Sequence, residues 1–400
     1  MGASAIGLEG ILLAMRIGVL TETHPLERRV AVVPALVEAY RKAGFEVFIE
    51  AGAGKQAYFG DSAYQQAGAV VLASSAEVLE RAEMVLAVRA AGANPDHFEQ
   101  ESVLLRAGQI LVGLVEPLYR PTSVAQLAER GVTVFALELM PRVARAQNMD
   151  VLSTMATIAG YKAVLLAGSL SPRMFPLLMT AAGTLSPSRV FVIGAGVAGL
   201  QAMATAKRLG ASVEGYDVRP ATREQVESVG AKFVELPLEI AQAETAGGYA
   251  RALEEETLRK QQDLLGEHLV RQEVIICTAA VPGKRAPLLI PKRVVEQMRP
   301  GTVIIDLVAE WGGNCELTRP GETIVYRGVT VVGAVNLPAT VPTDASLLYS
   351  RNLCNFVSHL KKVGMLPELN PDIEDTIAKE TLVAYRGQVV HPRVRAALEQ

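Results

Sequence analysis

The residues with the plainest chemical use are three glycines between two apolar stretches, in RVFVIGAGVAGLQAMATAKRLGASVEGYDVRP. Gly194, Gly196 and Gly199 follow a strand pattern and open a helical one. At this spacing the first glycine permits a tight turn, the second lets a pyrophosphate reach the backbone, and the third allows the helix to pack closely on the strand. The free N–H groups from Val197 onward then favour an anion. The stretch therefore predicts a dinucleotide-binding turn.

A carboxylate follows at the place where a dinucleotide site needs one. Asp217 ends the second strand pattern, 23 residues after Gly194, and a carboxylate there binds the hydroxyls of the adenosine ribose. Because it also repels a 2′-phosphate, it favours NAD(H) over NADP(H), and Val218 and Arg219 beside it are included in the predicted cofactor site. The alternative that Arg219 and Arg223 hold a 2′-phosphate stays open.

Two later strand patterns end in further candidates for the same site. Thr278 and Ala279 follow one of them, and Asp306 ends the next. In an open α/β sheet the ligand lies outside the carboxyl ends of the strands, so these residues are expected near the cofactor. Asp306 can equally serve as a helix cap.

A polar segment stands immediately before a long helical pattern, in PRVARAQNMDVLSTMATIAGYKA. It brings together Arg142, Arg145, Gln147, Asp150 and Ser153. One interpretation is a helix cap by Asp150 or by the neighbouring Asn148, with Arg145 in solvent. A cap accounts for only one of these residues, which leaves a ligand-positioning role for the others.

The surrounding pattern alternates apolar strands with amphipathic helices, from Met15 to Met140 and again from Arg189 to about Ala334. Such alternation indicates βαβ units. We predict two doubly wound parallel-sheet, Rossmann-like domains joined by long helices, one of them from Asp150 to about Leu178. The predicted boundaries are a tail over 1–14, an N-terminal α/β domain over 15–149 and 343–400, and an NAD(H)-binding domain over 150–342.

Composition excludes several classes of partner. The formal net charge of −3 over 400 residues gives no basic surface for nucleic acid or an anionic membrane. Three separated cysteines and five scattered histidines have no metal-ligand spacing. No uninterrupted apolar run is long enough to cross a membrane, and residues 1–14 have no basic region typical of a signal peptide.

One connection is longer than an α/β unit needs. Between Leu236 and Glu273 lie 36 residues, which include the triplet Gly247-Gly248-Tyr249 and then a charged helical pattern. Such a segment is either a surface excursion or a lid over a ligand.

Together with MRIGVLTETHPLERRVAVVP at Met15–Pro34 and IIDLVAEWGGNCE at Ile304–Glu316, these residues resemble the alanine dehydrogenase and nicotinamide nucleotide transhydrogenase family. The resemblance runs from Met15 nearly to the last residue. It implies two α/β domains joined by long helices, with the N-terminal domain completed by C-terminal residues.

The alanine dehydrogenase branch of this family needs a group that transfers a proton beside the nicotinamide. Its early arginine is present here as Arg29, whose other interpretation is an ion pair with Glu22 or Glu27. Its lysine, histidine and aspartate are replaced by Arg89, Glu116 and Glu310. Arginine is not a base near neutral pH, so amino-acid oxidation is not expected.

The transhydrogenase branch passes hydride directly between two nicotinamides and needs positioning rather than an acid or base. The polar segment resembles its Arg-Gln-Asp loop. The resemblance implies that Asp150 and Ser153 anchor the nicotinamide end, while Arg142 and Gln147 hold the ring against an incoming NADP(H). The predicted catalytic residues are Arg142, Gln147 and Asp150; the other cofactor-binding residues of the loop are Asn148, Met149 and Ser153. GGYARAL resembles the family's mobile loop, in which Gly248 and Tyr249 close over the nucleotide.

The resemblance also implies partners. We predict an NAD(H)-binding alpha subunit that exchanges hydride with NADP(H) on a partner subunit, coupled to proton translocation through membrane subunits. The chain is then a homodimer on the cytoplasmic face of the membrane, without a span of its own. A divergent alanine or opine-type dehydrogenase and a non-catalytic NAD(H)-sensing subunit are the alternatives.

Overall fold

The computed structural model of the protein describes residues 14–238, 255–367, 369–370 and 374–399. By their contacts the residues form two compact units. The first comprises the chain up to Met149 together with Pro342 onward, and the second comprises Asp150–Val341.

The opening stretch of unit 1 alternates strands and helices. In chain order these are β1 (Met15–Val19), α1 (Pro34–Lys42), β2 (Phe45–Glu50), α2 (Asp61–Ala67), β3 (Val70–Leu72), α3 (Ser75–Arg81), β4 (Met84–Arg89), α4 (Phe98–Ser102), β5 (Ile110–Leu114), α5 (Pro121–Glu129) and β6 (Thr133–Ala136).

Unit 2 opens with a long helix and continues as a second α/β series. Its elements are α6 (Val151–Leu170), β7 (Leu178–Thr180), β8 (Gly183–Leu185), β9 (Arg189–Ile193), α7 (Val197–Arg208), β10 (Ser212–Tyr216), α8 (Arg223–Ser228), β11 (Lys232–Phe233), α9 (Glu255–Leu269), β12 (Val274–Cys277), α10 (Lys292–Val295), β13 (Val303–Asp306), β14 (Thr323–Tyr326) and β15 (Val329–Gly333).

The chain then returns to unit 1 through α11 (Pro342–Lys362), α12 (Thr376–Thr381), β16 (Leu382–Tyr385), β17 (Gln388–Val389) and α13 (Pro392–Leu398). The sheet of unit 1 has the order β17-β16-β6-β5-β4-β1-β2-β3. Strands β1 to β6 pair in parallel, whereas β16 is antiparallel to β6 and β17 to β16. Residues from after α11 thus complete a sheet that begins at Met15.

The sheet of unit 2 repeats the same arrangement, with the order β11-β10-β9-β12-β13-β15-β14. All pairs are parallel except β14 with β15. In both sheets the strand order reverses between the first and fourth strands, β1 and β4 or β9 and β12. These two doubly wound sheets confirm the predicted fold class.

Alternating residues of β9 explain why this strand is buried on both faces. Val190 and Val192 pack in a cluster with α6 and α7, while Phe191 and Ile193 pack in a second cluster with α9 and α10. Because successive side chains of a strand point to opposite faces, a continuous apolar run such as RVFVI fits a sheet that helices cover on both sides.

The predicted length of the helix that starts at Asp150 is wrong. Helix α6 ends at Leu170, and residues 178–185 form the two-stranded hairpin β7–β8 instead. Pro172 and Pro176 follow directly, and proline cannot continue a helix. Of the described helices, α6 is the one long and apolar enough to cross a membrane. Ala163, Val164 and Ala167 are fully buried in the core of unit 2, as expected of a core helix.

Candidate functional site: a dinucleotide-binding turn

The turn between β9 and α7 has the geometry that its glycines predict. Gly194 has a φ of +95°, and an added Cβ would lie 2.5 Å from Thr278 Oγ1. At Gly199 an added Cβ would lie 1.8 Å from the Gly194 carbonyl oxygen. At Gly196, by contrast, nothing in the described protein lies within 4 Å. The turn is therefore closed on its protein side and open at Gly196, which leaves room for a pyrophosphate at the N-terminus of α7.

Thr278 supports this turn from the carboxyl end of β12. Its N–H donates to the Ile193 carbonyl at 2.8 Å. Its hydroxyl lies 3.0 Å from the same oxygen and 3.1 Å from the carbonyl oxygen of Gly194. The predicted cofactor residue Thr278 thus lies against the turn, and its hydroxyl fixes the position of Gly194.

The neighbouring loop is organised by a buried amide that no sequence pattern marks. Asn314 accepts the N–H of Ala279 at 3.0 Å and donates to the carbonyls of Ala279 and Pro287 at 2.9 and 2.8 Å. Both polar groups of the Ala279 backbone are therefore engaged. Asn314 lies eight residues beyond β13 with no recognisable spacing, so only the folded loop reveals its role.

Asp306 holds the same loop and does not face outward. Its carboxylate accepts the N–H groups of Val308, Asn314 and Cys315 at 3.1, 2.7 and 3.1 Å and the Thr318 hydroxyl at 2.7 Å. Burial raises the pKa of Asp306, and these four donors oppose the increase. The residue organises the chain after β13, so neither a direct cofactor contact nor a helix cap describes it.

The predicted ribose carboxylate is already engaged. Asp217 Oδ2 accepts the N–H of Ala195, within the glycine turn, at 2.8 Å. The Arg219 guanidinium forks onto both oxygens of Asp217, with Nε to Oδ1 and Nη2 to Oδ2 each at 2.9 Å. Arg223 lies elsewhere: it pairs with Glu235 and its guanidinium carbon stands 5.0 Å from the centre of the Phe233 ring.

Two further predicted residues stand at the start of α6. Asp150 is the N-cap: its Oδ1 accepts the Ser153 N–H at 2.9 Å and its Oδ2 accepts the Ser153 hydroxyl at 2.6 Å. The cap interpretation of Asp150 is therefore correct as far as it goes. Seven residues after Ser153, an added Cβ at Gly160 would lie 2.1 Å from the carbonyl oxygen of Ala198 in α7. With a helical rise of about 1.5 Å per residue, Ser153 lies about 10 Å along α6 from this crossing.

The rest of the polar segment belongs to unit 1, where residues 144–149 form a 3₁₀ helix. The Asn148 carbonyl accepts from the side-chain amides of Asn352 and Asn355 on α11, at 2.8 and 3.0 Å. Arg145, expected in solvent under the cap interpretation, instead pairs with Asp375 at 3.0 Å. Met149 is buried, whereas the predicted catalytic residues Arg142 and Gln147 are exposed.

The carboxyl edge of the unit 1 sheet carries the residues that would distinguish a dehydrogenase. Arg29 forms a buried ion pair with Glu27, with Nη2 to Oε2 at 2.6 Å, which confirms its ion-pairing interpretation. Arg89 contacts His24 Nε2 at 2.8 Å and Glu116 at 3.7 Å. Beside them, burial raises the pKa of Glu22 to about 8.

Some predicted residues receive no structural account. Gly248 and Tyr249 lie outside the described residues. Val197 is the first residue of α7, and Val218 lies between Asp217 and Arg219. Among the stretches of the chain that the structure describes, no group of three or more His, Cys, Asp or Glu residues could hold a metal ion.

The two doubly wound sheets and the glycine turn with its carboxylate define a dinucleotide-binding α/β protein. Residues 18–159 match the family model "Alanine dehydrogenase/PNT, N-terminal domain", and residues 163–392 match "Alanine dehydrogenase/PNT, C-terminal domain". The chain belongs to the alanine dehydrogenase/PNT family, as its sequence motifs predicted.

Individual relatives are found in both branches. An NAD(P) transhydrogenase subunit alpha protein of Rhodospirillum rubrum is 44% identical over 380 residues, which cover 94% of this chain and 98% of that protein. A crystal structure of transhydrogenase from Sinorhizobium meliloti has a TM-score of 0.79 at 37% identity, covering 94% of this chain and 99% of that one. An L-alanine dehydrogenase structure has a TM-score of 0.77 at 27% identity, covering 96% and 99%.

Proposed function

We propose that this chain is the NAD(H)-binding alpha subunit of a proton-translocating NAD(P) transhydrogenase. It transfers hydride directly and reversibly between NAD(H) bound here and NADP(H) on a partner subunit. The observation that carries the proposal is the 44% identity to a transhydrogenase alpha subunit over 94% of the chain, together with a glycine turn that is open to a pyrophosphate at Gly196.

The side chains at the carboxyl edge of unit 1 favour this chemistry over amino-acid oxidation. Oxidation of an amine needs a group that accepts a proton beside the reacting carbon. At the position of the family's lysine stands Arg89, which stays protonated at neutral pH. Arg29 is held by Glu27 and Glu116 by Arg120 at 2.9 Å. Hydride transfer between two nicotinamides needs no such proton acceptor.

What this chemistry needs is fixed geometry, because only correctly placed carbons exchange hydride quickly. In the proposal the glycine turn binds the pyrophosphate, Asp217 binds the adenosine ribose, and Asp150 and Ser153 hold the nicotinamide end. Arg142 and Gln147 keep the ring against the incoming NADP(H). Gly248 and Tyr249 belong to a segment that closes over the nucleotide.

The proposal includes an assembly. The NADP(H) site and the proton path belong to partner subunits in the membrane, and this chain lies against their cytoplasmic face as a homodimer. The hairpin β7–β8 favours self-association, since Met179 is 73% and Leu185 50% exposed. A lone two-stranded hairpin is marginally stable in water, and an apolar surface of this kind suits a twofold interface.

The test combines the purified chain with a separately prepared NADP(H)-binding partner subunit. Reduction of an acetylpyridine analogue of NAD by NADPH is followed for the wild type, Gln147→Asn and Asp150→Asn. Asparagine also caps helices, so Asp150→Asn removes the charge while the start of α6 is kept. We expect turnover to fall by about tenfold or more in both variants, with NADH binding retained.

Three outcomes would contradict the proposal. Unchanged turnover in both variants would remove the role assigned to the loop. Reduction of NAD by an amino acid or hydroxy acid with this chain alone would favour the dehydrogenase. NADH binding without any hydride transfer to the partner would favour a sensing subunit.

A further inference from the structure

The contact between Arg219 and Asp217 is closer than an exposed ion pair requires. Both side chains are largely buried, with 14% of Arg219 and 5% of Asp217 exposed. Besides the two guanidinium contacts, the Arg219 backbone N–H donates to Asp217 Oδ1 at 2.9 Å. With the Ala195 N–H on Oδ2 at 2.8 Å, each carboxylate oxygen has two donors. A carboxylate offers about four lone-pair sites, so all of them are used.

A ribose diol can therefore bind this carboxylate only in competition with a donor already present. The backbone N–H groups of Ala195 and Arg219 are fixed by the turn and by the end of β10. The Arg219 side chain is the donor that can move, because its stem is flexible. Binding of the adenosine ribose is then an exchange of the guanidinium for two hydroxyls.

An arginine displaced in this way stays two residues from Asp217, next to the ribose. A planar guanidinium binds phosphate through two parallel hydrogen bonds. We propose that Arg219 is a latent receptor for a 2′-phosphate, and that Asp217 keeps it occupied. Selectivity for NAD(H) then rests on the pair rather than on the carboxylate alone. The inference deepens the proposed function and rests on it.

Arg223 is the matched comparison within the same loop. Its guanidinium pairs with Glu235 and lies 4.0 Å from Glu227, and it stacks on Phe233. Substitution of Asp217 leaves those contacts in place. Of the two arginines that follow Asp217, only Arg219 is released when the carboxylate loses its charge.

The experiment measures NADH and NADPH binding to the full chain by the change in their fluorescence. The variants are Asp217→Asn, the double variants Asp217→Asn with Arg219→Gln and Asp217→Asn with Arg223→Gln, and Arg219→Gln alone. Asparagine has almost the shape of aspartate and can still accept the Ala195 N–H. Asp217→Ser serves the same purpose if the asparagine variant unfolds more easily.

We expect Asp217→Asn to bind NADPH at least about tenfold more tightly than the wild type, because a freed guanidinium gains charge-assisted hydrogen bonds to the phosphate. The gain should persist with Arg223→Gln and disappear with Arg219→Gln. Arg219→Gln alone should bind NADPH no better than the wild type, since the carboxylate remains. NADH should stay the preferred ligand of the wild type and of Arg219→Gln.

Two results would overturn the inference while the proposed function stands: wild-type binding of NADH with no NADPH gain in Asp217→Asn, or an equal gain with and without Arg219. A wild-type chain that binds neither nucleotide would contradict both.

Discussion

At the residue scale, Gly196 and Gly199 separate two demands that one motif usually combines. We predict that Gly199→Ala lowers the thermal stability, since its Cβ would meet the Gly194 carbonyl at 1.8 Å and such overpacking costs about 1–3 kcal/mol. Gly196→Ala should leave the melting temperature nearly unchanged but weaken NADH binding at least about tenfold, because the methyl group enters the space of the pyrophosphate. Thermal unfolding and NADH fluorescence measure the two effects. Wild-type NADH affinity in Gly196→Ala would mean that no pyrophosphate approaches there.

Glu22 predicts how stability depends on pH. Its carboxylate accepts the N–H groups of Val88 and Arg89, yet burial near Glu27 raises its pKa from 4.5 to about 8. Between these values the folded protein holds a proton that the unfolded chain has lost. The free energy of unfolding therefore falls as pH rises, with a slope of up to about 1.4 kcal/mol per pH unit from this group.

We predict that Glu22→Gln removes this contribution between about pH 4.5 and pH 8, as measured by melting temperatures across that range. Glu83→Gln is the control, since Glu83 pairs with Arg16 at the surface, and its profile should match the wild type. If the Glu22→Gln profile is as steep as that of the wild type, the carboxyl group is ionised in the folded protein.

Which site residues the sequence predicts depends on how they are arranged along the chain. Gly194, Gly196, Gly199 and Asp217 lie in one continuous βαβ stretch, where each spacing has a physical meaning, so their positions follow from the sequence. Asn314 acts through hydrogen bonds between segments far apart in sequence, and no local pattern marks it. Their roles toward a cofactor stay predictions.

At the element scale, the crossing of α6 and α7 depends on one glycine. We predict that Gly160→Ala destabilises the protein by about 1–3 kcal/mol, because its Cβ would lie 2.1 Å from the Ala198 carbonyl oxygen. Gly168→Ala, in the same helix, meets only the Phe175 ring, at 3.8 Å. It should stabilise by up to about 1 kcal/mol through helix propensity. Melting temperatures that fall equally in both variants would show that the crossing is not the cause.

Elements with strong patterns are predicted well, and short ones at sheet edges are not. The apolar runs of β1, β9, β12 and β13 identify them as buried strands. The three-residue strand β3, the edge strand β14 and the hairpin β7–β8 carry too few apolar residues to be recognised. For α7 the sequence predicts a packing face with Ala204 and Leu209, which is wrong: Ala202, Met203 and Ala206 are buried, whereas Leu209 is 39% exposed.

At the scale of the whole molecule, unit 1 needs its C-terminal strands. Val383 of β16 is fully buried, and the strand pairs with β6 through Leu382–Phe135 and Ala384–Val134. We predict that Val383→Asp lowers the free energy of unfolding of unit 1 by roughly 2–7 kcal/mol or more, since an unpaired charge would be buried. Limited proteolysis should then cut within residues 15–149 much sooner than in the wild type, while 150–341 stays resistant.

Gln388→Asp is the control for this prediction, because Gln388 is exposed on β17 and its proteolysis pattern should be that of the wild type. Cleavage confined to residues after 382 in Val383→Asp would show that the first six strands hold together without β16.

The interleaved path of the chain also sets an order of events on the ribosome. Strand β6 ends at Ala136, and its neighbour β16 begins only at Leu382. At translation rates of roughly 5–20 residues per second, an emerging chain carries an unpaired β6 edge for on the order of tens of seconds. All strands of unit 2 leave the ribosome during that interval. The domain that starts first is thus finished last, and its early strands are the stretch of a nascent chain that a chaperone would need to shield.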